Sequence, residues 1–413
     1  MIKFEKFKLG NGLTVIYHED RSTPLVALNI LYKVGARNED ENKTGFAHLF
    51  EHLMFGGSVN IPDYDKPLQM AGGENNAFTN NDFTNYYLTI PSQNVETAFW
   101  LESDRMLSLA FNEKSLVVQR NVVIEEFKQR YLNQPYGDVW LLLRPLAYQT
   151  HPYKWATIGK ELSHIENATL DDVKSFFKQH YHPSNAILSI AGNISIEEAK
   201  SLTEKWFAPI PAANTFNKNL PVEPIQTAPR EMTVKKHVPS GNIYKAWHCC
   251  ARNDADFYAT DLLSDILAGG KSSRLYQALV KEKKHFSEIG AYMLGELDKS
   301  LFVVEGRLAE GIKAEDAEQS LMLELDRICK TPVSTDELQK VKNKTESSLV
   351  FSEMNVANKA LNLAYFEMLG NAQLANEQAS FYNKVTTAQV MDTAVSVLKK
   401  ENCSTLYYLT QNN

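Results

Sequence analysis

The sequence has few cysteines and no long hydrophobic run. Only four of its 413 residues are cysteine and none forms a C-x-x-C pair, so neither a disulfide framework nor a cysteine zinc site is expected. No run approaches the roughly 18 apolar residues that a transmembrane helix needs. Residues 1–8 alternate charged and apolar side chains and contain no apolar core of a signal peptide. These absences predict a cytoplasmic protein with no membrane insertion.

A strongly basic surface is absent as well. Lysine and arginine total 43 against 50 acidic residues, which gives a net charge of −7. That balance provides no electrostatic footprint for nucleic acid, so no nucleic-acid partner is expected. Hydrophobic residues make up 44% of the chain and charged residues 23%, an ordinary globular composition. At this length one hydrophobic core is not enough, and two domains are predicted.

What the sequence does contain is an H-x-x-E-H pattern from His48 to His52, in a segment that ends at Gly56 and Gly57. Apolar residues recur through it at helical intervals, so a helix is predicted. At about 100° per residue, the two histidines lie about 40° apart and Glu51 about 60° to the other side of His48. Two imidazoles one turn apart can bind the same Zn²⁺, and Glu51 beside them can take a proton from water. The pattern is that of an inverted zincin and predicts a zinc hydrolase.

The segments around this motif predict strands as well as helices. Residues 3–9 and 13–18 read as two strands joined by a glycine-rich turn. Residues 70–81 are rich in glycine, asparagine and threonine, which favours a strand at a sheet edge. Residues 113–131 predict one long helix. The motif is therefore expected within an α+β domain.

The second half of the chain resembles the first. Residues 48–57 align with residues 261–270, and residues 95–105 align with residues 317–327 in the same order. The apolar positions recur in the second copy, whereas both histidines and the glutamate are absent from it. We therefore predict two copies of one domain, of which only the first binds metal.

Residues 209–230 hold several prolines together with asparagine and threonine, a composition typical of a linker. The predicted domains are an N-terminal zinc-binding domain at residues 1–208 and a C-terminal homologous domain without metal ligands at residues 231–413.

With this motif and repeat, the chain resembles the pitrilysin family, specifically its mitochondrial processing peptidase branch, over essentially all 413 residues. Four further stretches carry the resemblance: Asn76–Thr79, Arg120–Glu126, His151–Tyr153 and Gly270–Leu275. The resemblance implies two tandem α+β domains, each a mostly antiparallel sheet with flanking helices. It also implies a zinc-dependent endopeptidase that hydrolyses peptides or unfolded polypeptides inside a clamshell chamber formed by two such units.

The resemblance also implies the remaining site residues. The third zinc ligand would be a glutamate on the downstream helix. Helix geometry does not choose between Glu125 and Glu126, since neighbouring residues point about 100° apart, and the family pattern indicates Glu126. One Zn²⁺ per chain is expected. Gln119 stands where the family often has a glutamate, and its amide would lie just outside the ligands without adding charge. Extended substrate would bind at Asn76, Ala77, Phe78 and Thr79.

A partner subunit is implied by a departure from the family pattern. Members that cleave as single chains carry an arginine and a tyrosine in the second domain, where this chain has Lys281 and Glu288. Lysine does not reproduce a bidentate arginine, and a glutamate would repel a developing oxyanion. A heterodimer is therefore expected, in which a homologous subunit supplies the Arg/Tyr substrate clamp. The alternatives are an enzyme active alone or as a homodimer, and a non-catalytic peptide-binding or assembly subunit that retains the fold.

Overall fold

A computed structural model of the chain describes residues 1–214 and 219–411, so residues 215–218 of the predicted linker lie outside the described residues. The strands are β1 (Glu5–Lys8), β2 (Thr14–Glu19), β3 (Leu25–Tyr32), β4 (Glu74–Thr79), β5 (Thr84–Pro91), β6 (Ala186–Gly192), β7 (Arg230–Lys236), β8 (Asn242–His248), β9 (Phe286–Met293), β10 (Leu301–Leu308) and β11 (Cys403–Thr410). The α-helices are α1 (Phe46–Leu53), α2 (Asp65–Met70), α3 (Val95–Leu107), α4 (Glu113–Phe127), α5 (Val139–Ala147), α6 (Leu162–Glu166), α7 (Leu170–His180), α8 (Ile196–Phe207), α9 (Phe257–Ala268), α10 (Ala314–Lys330), α11 (Thr335–Ser352), α12 (Val356–Met368), α13 (Leu374–Lys384) and α14 (Thr387–Val397). Among the described residues, no helix combines the length and the apolar content that crossing a lipid bilayer requires.

The described strands form two sheets with the same internal order. The first sheet runs β1-β2-β6-β3-β5-β4 and the second runs β7-β11-β8-β10-β9. From β2 onward the two orders correspond strand for strand. Each sheet has one parallel pair, β2 with β6 and β7 with β11, and its other pairs are antiparallel. The predicted fold class, two homologous α+β domains with mostly antiparallel sheets, is confirmed.

Several local predictions around the motif are also confirmed. Strands β1 and β2 pair as the predicted hairpin, with Lys8 opposite Thr14. Strand β4 lies at the edge of the first sheet, as the composition of residues 70–81 indicated. The predicted long helix is α4, which continues as a π-helical turn over Lys128–Leu132.

Packing divides the chain into two compact units, each built from both halves of the sequence. The first unit comprises Met1–Lys128, Trp155–Leu220 and Val350–Glu377, and the second comprises Gln129–Lys154, Pro221–Leu349 and Gln378–Asn413. The predicted domain limits at residues 208 and 231 describe the two copies in the sequence and stay a prediction. The packing units differ from those copies because each sheet is covered by a helix from the other half of the sequence.

Helix α12, from the second half, covers the first sheet at β3 and β6. Small residues permit the close approach, since Ala360 is fully buried in one cluster with Ala27 and Ala191. Lys359 of this helix forms an ion pair with Asp20 at 2.6 Å. In the second unit, helix α5 from the first half of the sequence covers β7, β8 and β11, and its residue Leu143 is fully buried. An amphipathic helix pattern does not specify which sheet the helix covers.

Candidate metal centre

Helix α1 carries the H-x-x-E-H motif and begins at a glycine. Gly45 has φ +86°, a left-handed conformation that residues with a Cβ rarely adopt. A Cβ at this position would also lie 2.6 Å from the carbonyl oxygen of Ile158 and 2.8 Å from Cδ1 of Ile165. Both the backbone conformation and the close neighbours therefore require glycine one residue before the helix.

Glu39 fixes the N-terminus of this helix. Its side chain is buried, with 1% of its surface exposed, and its two carboxylate oxygens accept hydrogen bonds from the backbone N–H groups of Gly45 at 2.9 Å and Ala47 at 2.8 Å. A carboxylate at a helix N-terminus satisfies unpaired donors and is stabilised by the helix dipole. The sequence analysis missed this residue, because it lies outside any local capping pattern.

Replacing Glu39 by glutamine should destabilise the fold by about 1–3 kcal/mol, because the amide nitrogen cannot accept the hydrogen bond that one carboxylate oxygen accepts. We also expect weaker metal binding, since α1 carries the metal-binding side chains. Chemical denaturation and a zinc titration measure the two effects. Glu41→Gln is the matched control, because Glu41 is half-exposed and its 3.7 Å ion pair with Lys160 lies at the surface. Equal stability of the two variants would contradict the capping role.

The apolar face of α1 packs into the first unit and leaves the polar face accessible. Phe50 is fully buried and lies against Phe176 and Tyr181, with ring centroids 4.9 Å and 5.0 Å away. His48 and His52 lie on the other side with their side chains 13% and 23% exposed. The motif histidines are thus held by a packed helix while solvent can still reach them.

Helix α4 brings Glu126 to the two histidines. Oε2 of Glu126 lies 3.3 Å from Nε2 of His52 and 3.7 Å from Nε2 of His48, and ligand atoms of the three residues all fall within 4.8 Å of one another. Ligands bound to one zinc at about 2.0–2.2 Å in a tetrahedron are separated by roughly 3.3–3.6 Å. The three side chains therefore fit a divalent cation. Within the described residues, no other group of at least three His, Cys, Asp or Glu side chains converges in this way.

Glu125, which precedes Glu126 in the sequence, contacts a lysine instead of the histidines. Glu125 is 60% exposed and its carboxylate pairs at 2.8 Å with Nζ of Lys128, the first residue after α4. Helix geometry alone left the two residues equivalent, and the structure separates them because only Glu126 faces α1.

Glu51 lies beside this cluster and is held by a hydrogen bond from strand β4. The hydroxyl of Thr79, the last residue of β4, donates a hydrogen bond to Oε2 of Glu51 at 2.6 Å. Tyr86 and Tyr181 are buried nearby, with hydroxyls 3.3 Å apart. Burial raises the pKa of Tyr181 above its usual range, and the negative charge of Glu51 adds to this. The tyrosines therefore stay protonated next to the Glu51 carboxylate.

The four β4 residues predicted to bind substrate divide between the two faces of the edge strand. Thr79 faces α1, whereas Phe78 packs against Phe83, with ring centroids 5.7 Å apart. The side chain of Asn76 is exposed, and its Oδ1 accepts from the Ala77 N–H at 2.8 Å. Asn76 also lines a cavity of about 510 Å³ bounded by β4, β5 and the N-terminus of α12.

The remaining residues predicted from the sequence are Gln119, Lys281 and Glu288. Gln119 is half-buried on α4 and lies next to Gly56, just after α1. Lys281 is in a π-helical segment of the second unit, and Glu288 on β9 pairs with Arg307 at 3.2 Å. The correspondence of Lys281 and Glu288 to a substrate clamp stays a prediction.

Comparison with known proteins shows the family to which the chain belongs. Residues 14–159 match the family model described as Insulinase (Peptidase family M16), and residues 167–345 match the one described as Peptidase M16 inactive domain. The Zinc protease PqqE of Helicobacter pylori is 32% identical over 352 residues, which cover 82% of this chain and 78% of that protein. The chain belongs to peptidase family M16. The expected relationship to pitrilysin-type and processing peptidases is thereby confirmed.

Further similar proteins include a solved structure and a processing-peptidase subunit. A crystal structure of a protease from Helicobacter pylori superposes with a TM-score of 0.93 at 28% identity and covers 100% of both chains. A probable mitochondrial-processing peptidase subunit beta from Arabidopsis thaliana is 24% identical over 355 residues, 83% of this chain and 66% of that protein. The M16 inactive-domain match includes Asp261, Ser264 and Asp265, which replace the histidines and glutamate of the motif in the second copy.

Proposed function

We propose that this chain is a zinc-dependent endopeptidase whose metal ligands are His48, His52 and Glu126 and whose general base is Glu51. The observation that carries the proposal is the convergence of the three ligand atoms within 4.8 Å, with Glu51 held beside them. Its relatives named zinc proteases support the choice of metal. One zinc per chain follows from the single cluster found within the described residues.

Zinc bound by three protein side chains would supply a Lewis acid that polarises the peptide carbonyl and makes water easier to deprotonate. The chain's own contribution to proton transfer is Glu51. Its carboxylate takes the proton of the attacking water and returns it to the leaving amine, the two roles expected of one general acid–base residue.

Substrate would bind by adding a strand to the free edge of β4. Such pairing uses backbone hydrogen bonds and reads sequence weakly, so it selects extended peptides and unfolded polypeptides over folded proteins. An incoming peptide that accepts from the Ala77 N–H would replace the Asn76 amide oxygen that accepts from it in this structure. The cavity beside Asn76 can receive substrate side chains on the face of β4 away from Glu51.

A second subunit completes the enzyme in this proposal. The need for a second subunit is supported by Lys281 and Glu288, because these side chains stand where a substrate clamp would have an arginine and a tyrosine and cannot replace them. The Arabidopsis relative is itself named a subunit. We therefore propose a heterodimer with a homologous subunit, with a homodimer as the alternative. A cytoplasmic location stays a prediction.

Zinc binding tests the ligand assignment directly. The wild-type chain should bind about one zinc, and Glu126→Gln should weaken binding by at least about 100-fold, since even changes outside the ligands cost about 10–100-fold. Glu125→Gln is a matched control on the same helix, because Glu125 faces solvent and Lys128. Isothermal titration and metal analysis of dialysed protein provide the measurement. Equal zinc binding by the two variants would remove Glu126 from the site.

Cleavage of a quenched, unstructured peptide tests the activity. The zinc-loaded chain should be assayed alone and together with a homologous subunit that carries the Arg/Tyr pair. Activity only in the mixture supports the heterodimer, and activity of the single chain supports the homodimer or monomer. A chain that binds zinc but cuts in neither condition would be a non-catalytic subunit.

A further inference from the structure

We propose that Thr79 is a positioning residue for the Glu51 carboxylate, so that the strand expected to bind substrate also aligns the general base. The inference rests on the proposed function of Glu51. It changes the role of Thr79, which the sequence analysis assigned to substrate binding.

The first support is geometric. Thr79 Oγ1 donates to Glu51 Oε2 at 2.6 Å, a short hydrogen bond of the kind formed by a hydroxyl with a carboxylate. A glutamate side chain has three rotatable bonds, and its terminal bond is only weakly restricted by intrinsic preference. A hydrogen bond to one oxygen therefore restricts both the position and the plane of the carboxylate.

The second support is that Thr79 is itself rigidly held. It pairs with Thr84 across the β4–β5 ladder, and the turn that follows is closed by Asn80, whose Oδ1 accepts from the N–H groups of Asp82 and Phe83 at 2.8 Å each. The Asn80 carbonyl accepts a further bond from the Ala36 N–H at 3.1 Å. Thr79 is also β-branched, which restricts its χ1 rotation. The donor thus belongs to a fixed element, as a positioning group requires.

The third support is the separation of Glu51 from the metal ligands. A free carboxylate is a zinc ligand in its own right. Glu51 lies between the motif histidines in sequence, yet it is not part of the converging cluster of His48, His52 and Glu126. The hydrogen bond from Thr79 draws its carboxylate towards β4 and keeps it available for proton transfer.

The consequence is a mechanical link between substrate binding and catalysis. Peptide added to the edge of β4 is aligned by the same strand that holds Glu51. A displacement of about 1 Å in a reacting group can lower a rate by about 100-fold. Side chains at residue 79 without a hydroxyl should therefore impair the chemical step more than peptide affinity.

The test compares Thr79→Val with Thr79→Ser. Valine keeps the size and the β-branch but removes the donor, whereas serine keeps the donor. We expect kcat of the valine variant to fall about 10–100-fold with KM and zinc affinity within about 3-fold of wild type, and the serine variant to stay within about 3-fold in all three quantities. A rise in KM with unchanged kcat would overturn the proposal in favour of direct substrate binding. Equal loss in both variants would overturn it as well, because the hydroxyl would then be irrelevant.

A crystal structure of the Thr79→Val chain gives a readout that does not depend on activity. The Glu51 carboxylate should leave the orientation seen in the wild type, and an unchanged orientation would overturn the proposal. Failure of the proposed function is a different result, namely zinc-loaded wild-type protein that cuts no peptide alone or with a partner. In that case the crystal structures alone decide whether Thr79 positions Glu51.

Discussion

Replacing Glu51 by glutamine is expected to abolish peptide cleavage while zinc stays bound. Glutamine has nearly the same shape and can still accept the Thr79 hydrogen bond, but it cannot take a proton from water at neutral pH. Loss of a positioned general base lowers rates by about 10²–10⁴-fold, so kcat should fall by about 1,000-fold or more. Zinc content should remain about one per chain, because the three proposed ligands are untouched.

The measurement is kcat on a quenched peptide together with metal analysis of the same sample. Glu125→Gln makes the same chemical change on the exposed face of α4 and should retain wild-type activity. Cleavage by Glu51→Gln at the wild-type rate would show that the proton goes elsewhere. Loss of zinc from that variant would instead make Glu51 a metal ligand.

The second large effect is expected at Ala360 of α12. This residue has no exposed surface and lies against Ala27 of β3 and Ala191 of β6. Ala360→Glu would force a longer side chain and an unpaired charge between helix and sheet, two causes that each destabilise strongly. We expect a loss of about 5 kcal/mol in the free energy of unfolding, or failure of the full chain to fold.

Urea denaturation followed by circular dichroism and tryptophan fluorescence measures this loss. Asn362→Glu provides the control, since the polar side chain of Asn362 on the same helix is only partly buried, and the substitution should change stability by less than about 1 kcal/mol. Similar stabilities of the two variants would mean that α12 does not cover the first sheet.

The arrangement of the motif side chains could be predicted because these residues are close together in the sequence. His48, Glu51 and His52 fall within five consecutive residues of one helix, and the angle between residues on a helix follows from its period. Strand β4 was placed at a sheet edge by its composition alone. The repeat also predicted that both sheets would share one topology, which the strand orders confirm.

The residues that hold the site in place could not be predicted in this way. Glu39 contacts the start of α1 from a preceding loop, and Thr79 reaches Glu51 from 28 residues further along the chain. The sequence spacing of these two residues does not indicate either contact, because each contact depends on how two structural elements pack together. Gln119, by contrast, was predicted only from a resemblance, and it lies beside Gly56.

The sequence by itself determined the helix that carries two histidines and a glutamate, the doubled α+β architecture and the absence of those side chains from the second copy. The family resemblance had already indicated Glu126, and the tertiary structure brings Glu126 rather than Glu125 to the histidines. Only the tertiary structure decided that Thr79 bonds to Glu51 and that α12 from the second half covers the first sheet. The physical reason is that helical and strand periodicities fix which residues share a face. The partner of that face is chosen by the packing of elements distant in sequence.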